Sequence, residues 1–221
     1  MCTVALIRNL NYGYCQCKEE IKNMREETRR QRQEQIEQAA YAVLEEKGYG
    51  GTSMLAIARR ARASNETLYN WYGDKQGLFR ALVTRNAAEV KELLSAELES
   101  GGDPLETLDL LGPKLLALLT GVRAIALNRA AAADTSGELG AAISQNGRET
   151  VLPMIAAVLE KARAGGQLHF ETTEEATELY LNLLVGDLQI RRAIGRAPVP
   201  TAADCNARAK RALDLLRHIF N

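Results

Sequence analysis

Apolar residues in the first third of the chain fall into stripes. Ile36, Ala40, Val43 and Leu44 recur at i, i+4, i+7 and i+8, which is one face of an amphipathic helix. They predict a helix from about Glu27 to Lys47 that Gly48 ends. Beyond the turn at Gly48 to Gly51, Thr52 is an N-cap residue for a short helix that carries Met54, Leu55, Ile57 and Ala58 and runs out at Arg62. Ser64 caps a second short helix, Asn65 to Tyr72, which Gly73 stops. Asp74 then caps a longer one reaching about Glu99, with Leu78, Phe79, Leu82, Val83, Val90, Leu93 and Leu94 on its apolar side. The order is long, short, short, long, and Leu55, Ile57, Leu68, Tyr72 and Phe79 are expected in its core.

The run Gly101-Gly102-Asp103-Pro104 is the clearest break in composition and reads as a turn between domains. Beyond it five helical stretches are predicted, at about 104–119, 122–133, 137–164, 173–194 and 201–219. Gly112-Pro113 should kink or split the first, because proline removes an internal hydrogen bond, and Pro153 should bend the third. Apolar residues make up 46% of the 221 and charged residues 25%, with long runs of good helix formers, so the fold class expected is all-α.

Charge narrows the partners. The formal net charge is zero, which argues against a polyelectrolyte that simply coats nucleic acid or anionic lipid. Residues 25–85 nevertheless carry 11 Lys and Arg against 8 Asp and Glu, and residues 86–221 carry 14 against 18, so a basic front joins an acidic back. The best apolar run, Leu115 to Val122, is far short of the ~18 residues of a membrane span, and the opening residues lack a secretory pattern. A cytoplasmic protein with no membrane partner is expected. Residues 1–29 are expected to form a flexible extension; within it Cys15-Gln16-Cys17 is either a metal or redox pair or an inert part of a leader. No second Cys pair or nearby His completes a four-ligand zinc site, so no metal and no cofactor is expected.

Two short helices joined by a tight turn are the plan of a helix-turn-helix, whose second helix enters the DNA major groove. The stretch "TSMLAIARRARASNETLYNWYGDKQGLF", Thr52 to Phe79, closely resembles the TetR family of bacterial transcriptional regulators. Thr52, Ile57-Ala58, Ala61, Ser64, Thr67-Leu68-Tyr69, Trp71-Tyr72, Lys75 and Leu78-Phe79 fall at the family's spacings. The resemblance covers about residues 30–90, with the motif itself at 53–72. Residues 91–221 resemble, less specifically, the family's helical effector-binding and dimerisation half, in its AefR-like branch. The resemblance implies a homodimer, a palindromic operator in double-stranded DNA and a small-molecule effector. It also places Tyr69, Trp71 and Lys75 at phosphate contacts. Where the family usually has Gly-Val in the turn, this chain has Arg62-Ala63, so Arg holds a position that often needs φ > 0, at some cost in strain.

The residue types agree with that reading on their own chemistry. Thr52 caps a helix whose first amides form a phosphate site. Ser64, Asn65, Glu66, Thr67 and Asn70 lie on the early turns of the second short helix; Asn suits adenine, Glu cytosine, and the Thr methyl thymine. Tyr69 and Trp71 can donate to backbone phosphates, and Lys75 starts a helix whose amides favour the same anion. Arg29, Arg30 and Arg32 are either a solvated face or a phosphate-reaching arm.

One recognition helix gives too few contacts for useful specificity, so a twofold dimer is needed. Its surface is expected on the last two helices, through Leu179, Leu183 and Ile190 on one and Leu213, Leu216 and Phe220 on the other. The helices between Leu105 and Ala164 suit a modest hydrophobic effector, with Asn128, Arg129 and Tyr180 as groups that could orient it. No catalytic motif is present: His169 and His218 stand far apart, and there is no zinc helix, phosphate loop or nucleophile elbow. A repressor is therefore expected rather than an enzyme, with a helical adaptor of the same fold that has lost specific DNA binding as the alternative.

Overall fold

The computed structural model describes residues 3–221, with side chains from Met24 onward except that of Glu89. Cys2, Cys15 and Cys17, and most of the expected extension, lie outside the described side chains. Among the described residues the regular structure is entirely helical. Helix α1 spans Thr3–Gly51 and leaves helical geometry at Gly48, at φ 66° and ψ 177°. Then follow α2 (Met54–Arg60), α3 (Asn65–Tyr72) and α4 (Lys75–Ser100), in the order that the apolar stripes predict. The second half holds α5 (Pro104–Thr120), α6 (Val122–Ala132), α7 (Glu138–Ile143), α8 (Glu149–Ala164), α9 (Thr173–Val185), α10 (Leu188–Ala193) and α11 (Ala202–Ile219).

Two cores form, and α4 belongs to both. Ile36, Ala40, Val43 and Leu44 of α1 pack with Ile57, Leu68, Leu78, Phe79 and Val83, joined from the second half by Leu127, Ala130 and Leu139. From Ala87 onward α4 turns Val90 and Leu94 into a second core with α5, α8, α9 and α11. The seam between the cores crosses α4 between Val83 and Ala87.

Several expectations are corrected. Leu55 is 48% exposed rather than in the core: Met54, Ile57, Ala58 and Ala61 fill the inward face of so short a helix, and Leu55 stands about 100° away from Met54 around it. The N-cap of α2 is Ser53, whose hydroxyl accepts from the Ala56 amide at 3.2 Å, while Thr52 is buried and donates to the Gly48 carbonyl at 2.7 Å. Helix α5 is not split at Gly112-Pro113. Gly112 offers no Cβ to the proline ring, and the carbonyl that loses its partner belongs to solvent-exposed Asp109. The stretch 137–164 is helical from Glu138 to Ala164, as expected, but its departure from regular α-geometry is a π-helical turn over Ser144–Arg148, and α8 runs on through Pro153. The stretch 173–194 breaks at Gly186 (φ 51°, ψ −133°), where Arg208 caps the end of α9 by donating to the Leu184 and Val185 carbonyls at 2.6 and 2.9 Å. No single helix among the described residues is long and apolar enough to cross a membrane.

Candidate nucleic-acid interface

The turn between α2 and α3 carries the conformation that its sequence predicts. Arg62 has φ 52° and is the one non-glycine residue with positive φ among those described. Left-handed backbone costs a residue with a Cβ about 1–2 kcal/mol, so the turn needs support. Its own amides bond back into α2, Arg62 N–H to the Arg59 carbonyl at 3.2 Å and Ala63 N–H to the Ala58 carbonyl at 2.9 Å. From α1 the Arg32 guanidinium donates to the Ala61 carbonyl at 3.1 Å and to the Arg62 carbonyl. Arg32 is thereby committed to the turn, Arg30 pairs with Glu27 at 2.9 Å, and Arg29 lies 5.7 Å from the centre of the Trp71 ring. Replacing Arg62 with Gly removes the steric cost and is expected to raise stability by about 0.5–1 kcal/mol, allowing for glycine's freedom in the unfolded chain. Urea unfolding measures this.

Helix α3 is short, and its composition divides by face. Ser64 caps it, accepting from the Thr67 amide at 3.0 Å, and its hydroxyl lies 2.7 Å from that of Thr67. Leu68 is fully buried and fixes the inward side. Asn65, Glu66, Tyr69 and Asn70 are exposed together on the opposite side, with Thr67 at their margin. Trp71 is half-buried, edge-on to Tyr72 at 6.5 Å between ring centres. Lys75 folds inward, donating to the Tyr49 carbonyl at 3.2 Å with its ammonium 4.0 Å from the centre of the Tyr49 ring. The sequence reading missed Tyr49. Its ring stands edge-on to Phe79 at 5.2 Å and its hydroxyl donates to Glu138 at 3.4 Å, so it joins the start of α4 to α7.

Behind α3 lies a buried charge. Glu37 is 3% exposed, with an Arg85 guanidinium nitrogen 2.8 Å from its Oε1, an ion pair whose alignment is not that of a hydrogen bond. The buried Tyr72 hydroxyl has no hydrogen-bond partner among the described residues. Burial pushes the Glu37 carboxyl above its ordinary value, opposed by the positive charges of Arg85 and Arg123. Burial, reinforced by the Glu37 charge, pushes Tyr72 up to about 12. The folded protein thus holds the Glu37 proton over a window, starting near 4.5, in which the unfolded chain has lost it, and stability falls as pH rises through that window. Asp103, Asp134, Glu160 and Asp204 are held low by hydrogen bonds and push the other way. The Glu37 share is therefore isolated by difference. Wild type minus Glu37→Gln, followed by urea midpoint against pH, is expected to slope downward with rising pH.

A cavity of about 370 Å³ lies at the seam of the two cores, walled by Val83 and Ala87 of α4, Leu127 of α6 and Ile155 of α8 among others. Of the three residues expected to orient an effector, Asn128 lines it. Arg129 instead donates to the Ala193 and Arg192 carbonyls at 2.5 and 3.0 Å, tying α6 to the end of α10. Tyr180 is buried in the second core with its hydroxyl 3.4 Å from the Leu108 carbonyl.

The residues expected at a dimer surface separate. Leu213 and Leu216 are buried in the protomer's own core, because the stripe Cys205, Ala209, Ala212, Leu213 and Leu216 is the face that α11 turns to α5 and α9. Phe220 rests on Phe170 at 5.3 Å between ring centres. Leu179 and Leu183 are half-buried and Ile190 is exposed. The large apolar residues that α11 leaves exposed are Leu215 and Ile219.

The geometry defines a helix-turn-helix protein with an appended helical domain. Comparison with known proteins is specific. Residues 36–82 match the model of bacterial regulatory proteins of the tetR family, and residues 106–218 match that of the C-terminal domain of AefR-like transcriptional repressors. The chain belongs to the TetR family. It is 30% identical over 78 residues to the HTH-type transcriptional regulator BetI of Stenotrophomonas maltophilia, a match spanning 35% of this chain and 40% of that protein. A TetR transcriptional regulator from Agrobacterium tumefaciens shares 29% identity and superposes with a TM-score of 0.65 over 86% of this chain and 94% of its own. The flavonoid-responsive regulator FrrA shares 25% identity, with a TM-score of 0.62 over 86% and 96% of the two chains.

Proposed function

We propose that the protein is a homodimeric repressor that binds a palindromic operator through α3 and leaves it when a small molecule occupies the cavity against α4. The observation that carries this is the exposed face of α3: Asn65, Glu66, Tyr69 and Asn70 project together from a helix anchored by Leu68 and aimed by the Arg62 turn. Asn65, Glu66 and Asn70 have the chemistry to read base edges in the major groove, and Ser64 and Thr67 flank them. Tyr69 donates to phosphate. Trp71 and Lys75 contribute mainly by holding α3 and α4 in place, and Thr52 by holding the turn between α1 and α2, since their polar groups or rings are engaged within the domain.

Two such helices related by a twofold axis read half-sites about 34–36 Å apart or at multiples of that. The outer faces of α9 and α11, through Leu179, Leu183, Leu215 and Ile219, suit a four-helix bundle across the axis, with Ile190 at its margin. Release by an effector requires that it bind the two states with different affinity. A cavity on α4, which contributes to both cores, is a physical place for that difference.

Selection from random duplexes tests the reading. The expected product is a palindrome; absence of any enriched sequence would mean a helical adaptor instead. In gel-shift titrations at fixed salt, Tyr69→Ala is expected to weaken binding to all sequences, and Asn65→Ala to change base preference.

A further inference from the structure

We infer that the cavity takes an amphipathic monocarboxylate, an apolar body with one anionic head, and that Arg148 reads the head; this rests on the proposed role of the cavity as the effector site. Three observations carry it. Leucine, isoleucine and valine side chains make up most of the wall, which contains no Asp or Glu, and Arg148 is its one cationic side chain. A ligand ammonium would find no counter-charge there, and a wholly apolar ligand would leave the guanidinium unused. Second, the Arg148 side chain makes no hydrogen bond or ion pair among the described residues. The carboxylate next in sequence, Glu149, accepts from the Ser144 hydroxyl at 2.7 Å. Arg208 spends N–H groups on the Leu184 and Val185 carbonyls beside Gly186 of the wall. It adds positive potential without competing for the head.

Third, Arg148 is the last residue of the π-helical turn, a wide turn that proteins tend to keep at functional positions. The turn is secured by Asn146 donating to the Ala142 carbonyl at 3.0 Å and Thr150 donating to the Gln145 carbonyl at 3.0 Å. A guanidinium matches a carboxylate through two parallel N–H bonds, which a neutral hydroxyl cannot accept. At about 370 Å³ the cavity is near the lower end of ligand pockets, which favours a medium chain or a compact ring acid over a long acyl chain. The turn also touches the helix that joins the two cores. A Cβ on Gly147 would lie 3.4 Å from the Val83 side chain of α4, so a carboxylate drawing Arg148 inward acts next to α4.

The test is calorimetric titration of the full-length protein with decanoate, decanol and decylammonium. Decanoate is expected to bind at least about tenfold more tightly than the other two, a difference of about 1.4 kcal/mol. Arg148→Ala should erase that preference, Arg148→Lys should restore part of it, and decanol binding should be unchanged in both. Arg148 is exposed, so both variants are expected to melt near the wild type. Equal binding of the three probes, binding of none, or a decanoate preference that survives Arg148→Ala would overturn the inference. A second titration, of operator against protein saturated with decanoate, separates the two levels. Tight decanoate binding that leaves operator affinity unchanged keeps the ligand class and removes the repressor-release reading.

Discussion

Gly77→Ala is expected to unfold or misassemble the N-terminal domain and abolish binding to any operator. Helix propensity alone points the other way, since Ala inside a helix is about 1 kcal/mol better than Gly. Steric contact decides. A Cβ at Gly77 would sit 1.9 Å from the Tyr72 carbonyl oxygen and 3.1 Å from its carbon, both backbone atoms that cannot rotate away. That carbonyl ends α3, and Asp74 caps α4 by accepting from the Gly77 amide at 2.6 Å, so one corner carries both the cap and the close approach. Relief requires α3 to swing away from α4, withdrawing Leu68 from Leu78 and Phe79 in the core they share. Overpacking usually costs about 1–3 kcal/mol where side chains can adjust, and here the obstacle is main chain, so about 3 kcal/mol or more is expected. Gly140→Ala is the control: the added methyl meets nothing within 4 Å in α7, and propensity is expected to raise stability there by about 0.5–1 kcal/mol. Thermal melts of the two variants should therefore move in opposite directions, and only Gly77→Ala should lose DNA in a gel shift.

What could be read from the sequence was what local physics decides. Ser64 and Asp74 cap their helices as expected, because a cap is a contact between a side chain and an amide three residues on. The positive φ of Arg62 was legible for the same reason. Thr52 missed by one place, because two hydroxyl residues stand side by side and the neighbouring turn decides which one faces the helix. On α11 the apolar pattern supports two stripes, one through Leu213 and Leu216 and the other through Leu215 and Ile219. Periodicity locates a stripe without saying which partner covers it, and the protomer's own core takes the first. Arg129 and Tyr180 find their partners 63 to 72 residues away, at distances that no local pattern encodes. Arg148 was missed because a π-turn has no strong sequence signature, and its place on the cavity wall exists only once α4, α6 and α8 have met.

Replacing Gly112 with Ala is expected to loosen the packing of the last helix on the effector half while leaving the DNA-binding domain folded. The new Cβ would stand 2.8 Å from the Cβ of Ala209 on α11 and 3.3 Å from the Tyr180 hydroxyl. Ala209 has no rotamer with which to yield, so α11 must move outward as a body. Helix propensity returns about 1 kcal/mol, against an overpacking cost of about 1–3, and a net loss of about 1–2 kcal/mol is expected. Outward movement of α11 also shifts Leu215 and Ile219, so the variant should dimerise more weakly in sedimentation equilibrium. The sharper measurement is the partner substitution. Ala209→Gly alone removes a buried methyl and should destabilise, yet combined with Gly112→Ala it restores the space on the opposite helix. If the approach of α5 to α11 sets the cost, the double variant recovers most of the loss and its destabilisation falls short of the sum of the two single losses by about 1 kcal/mol or more. Additive losses would mean that Gly112 matters through the backbone freedom it gives Pro113, and that the helices do not need to meet so closely.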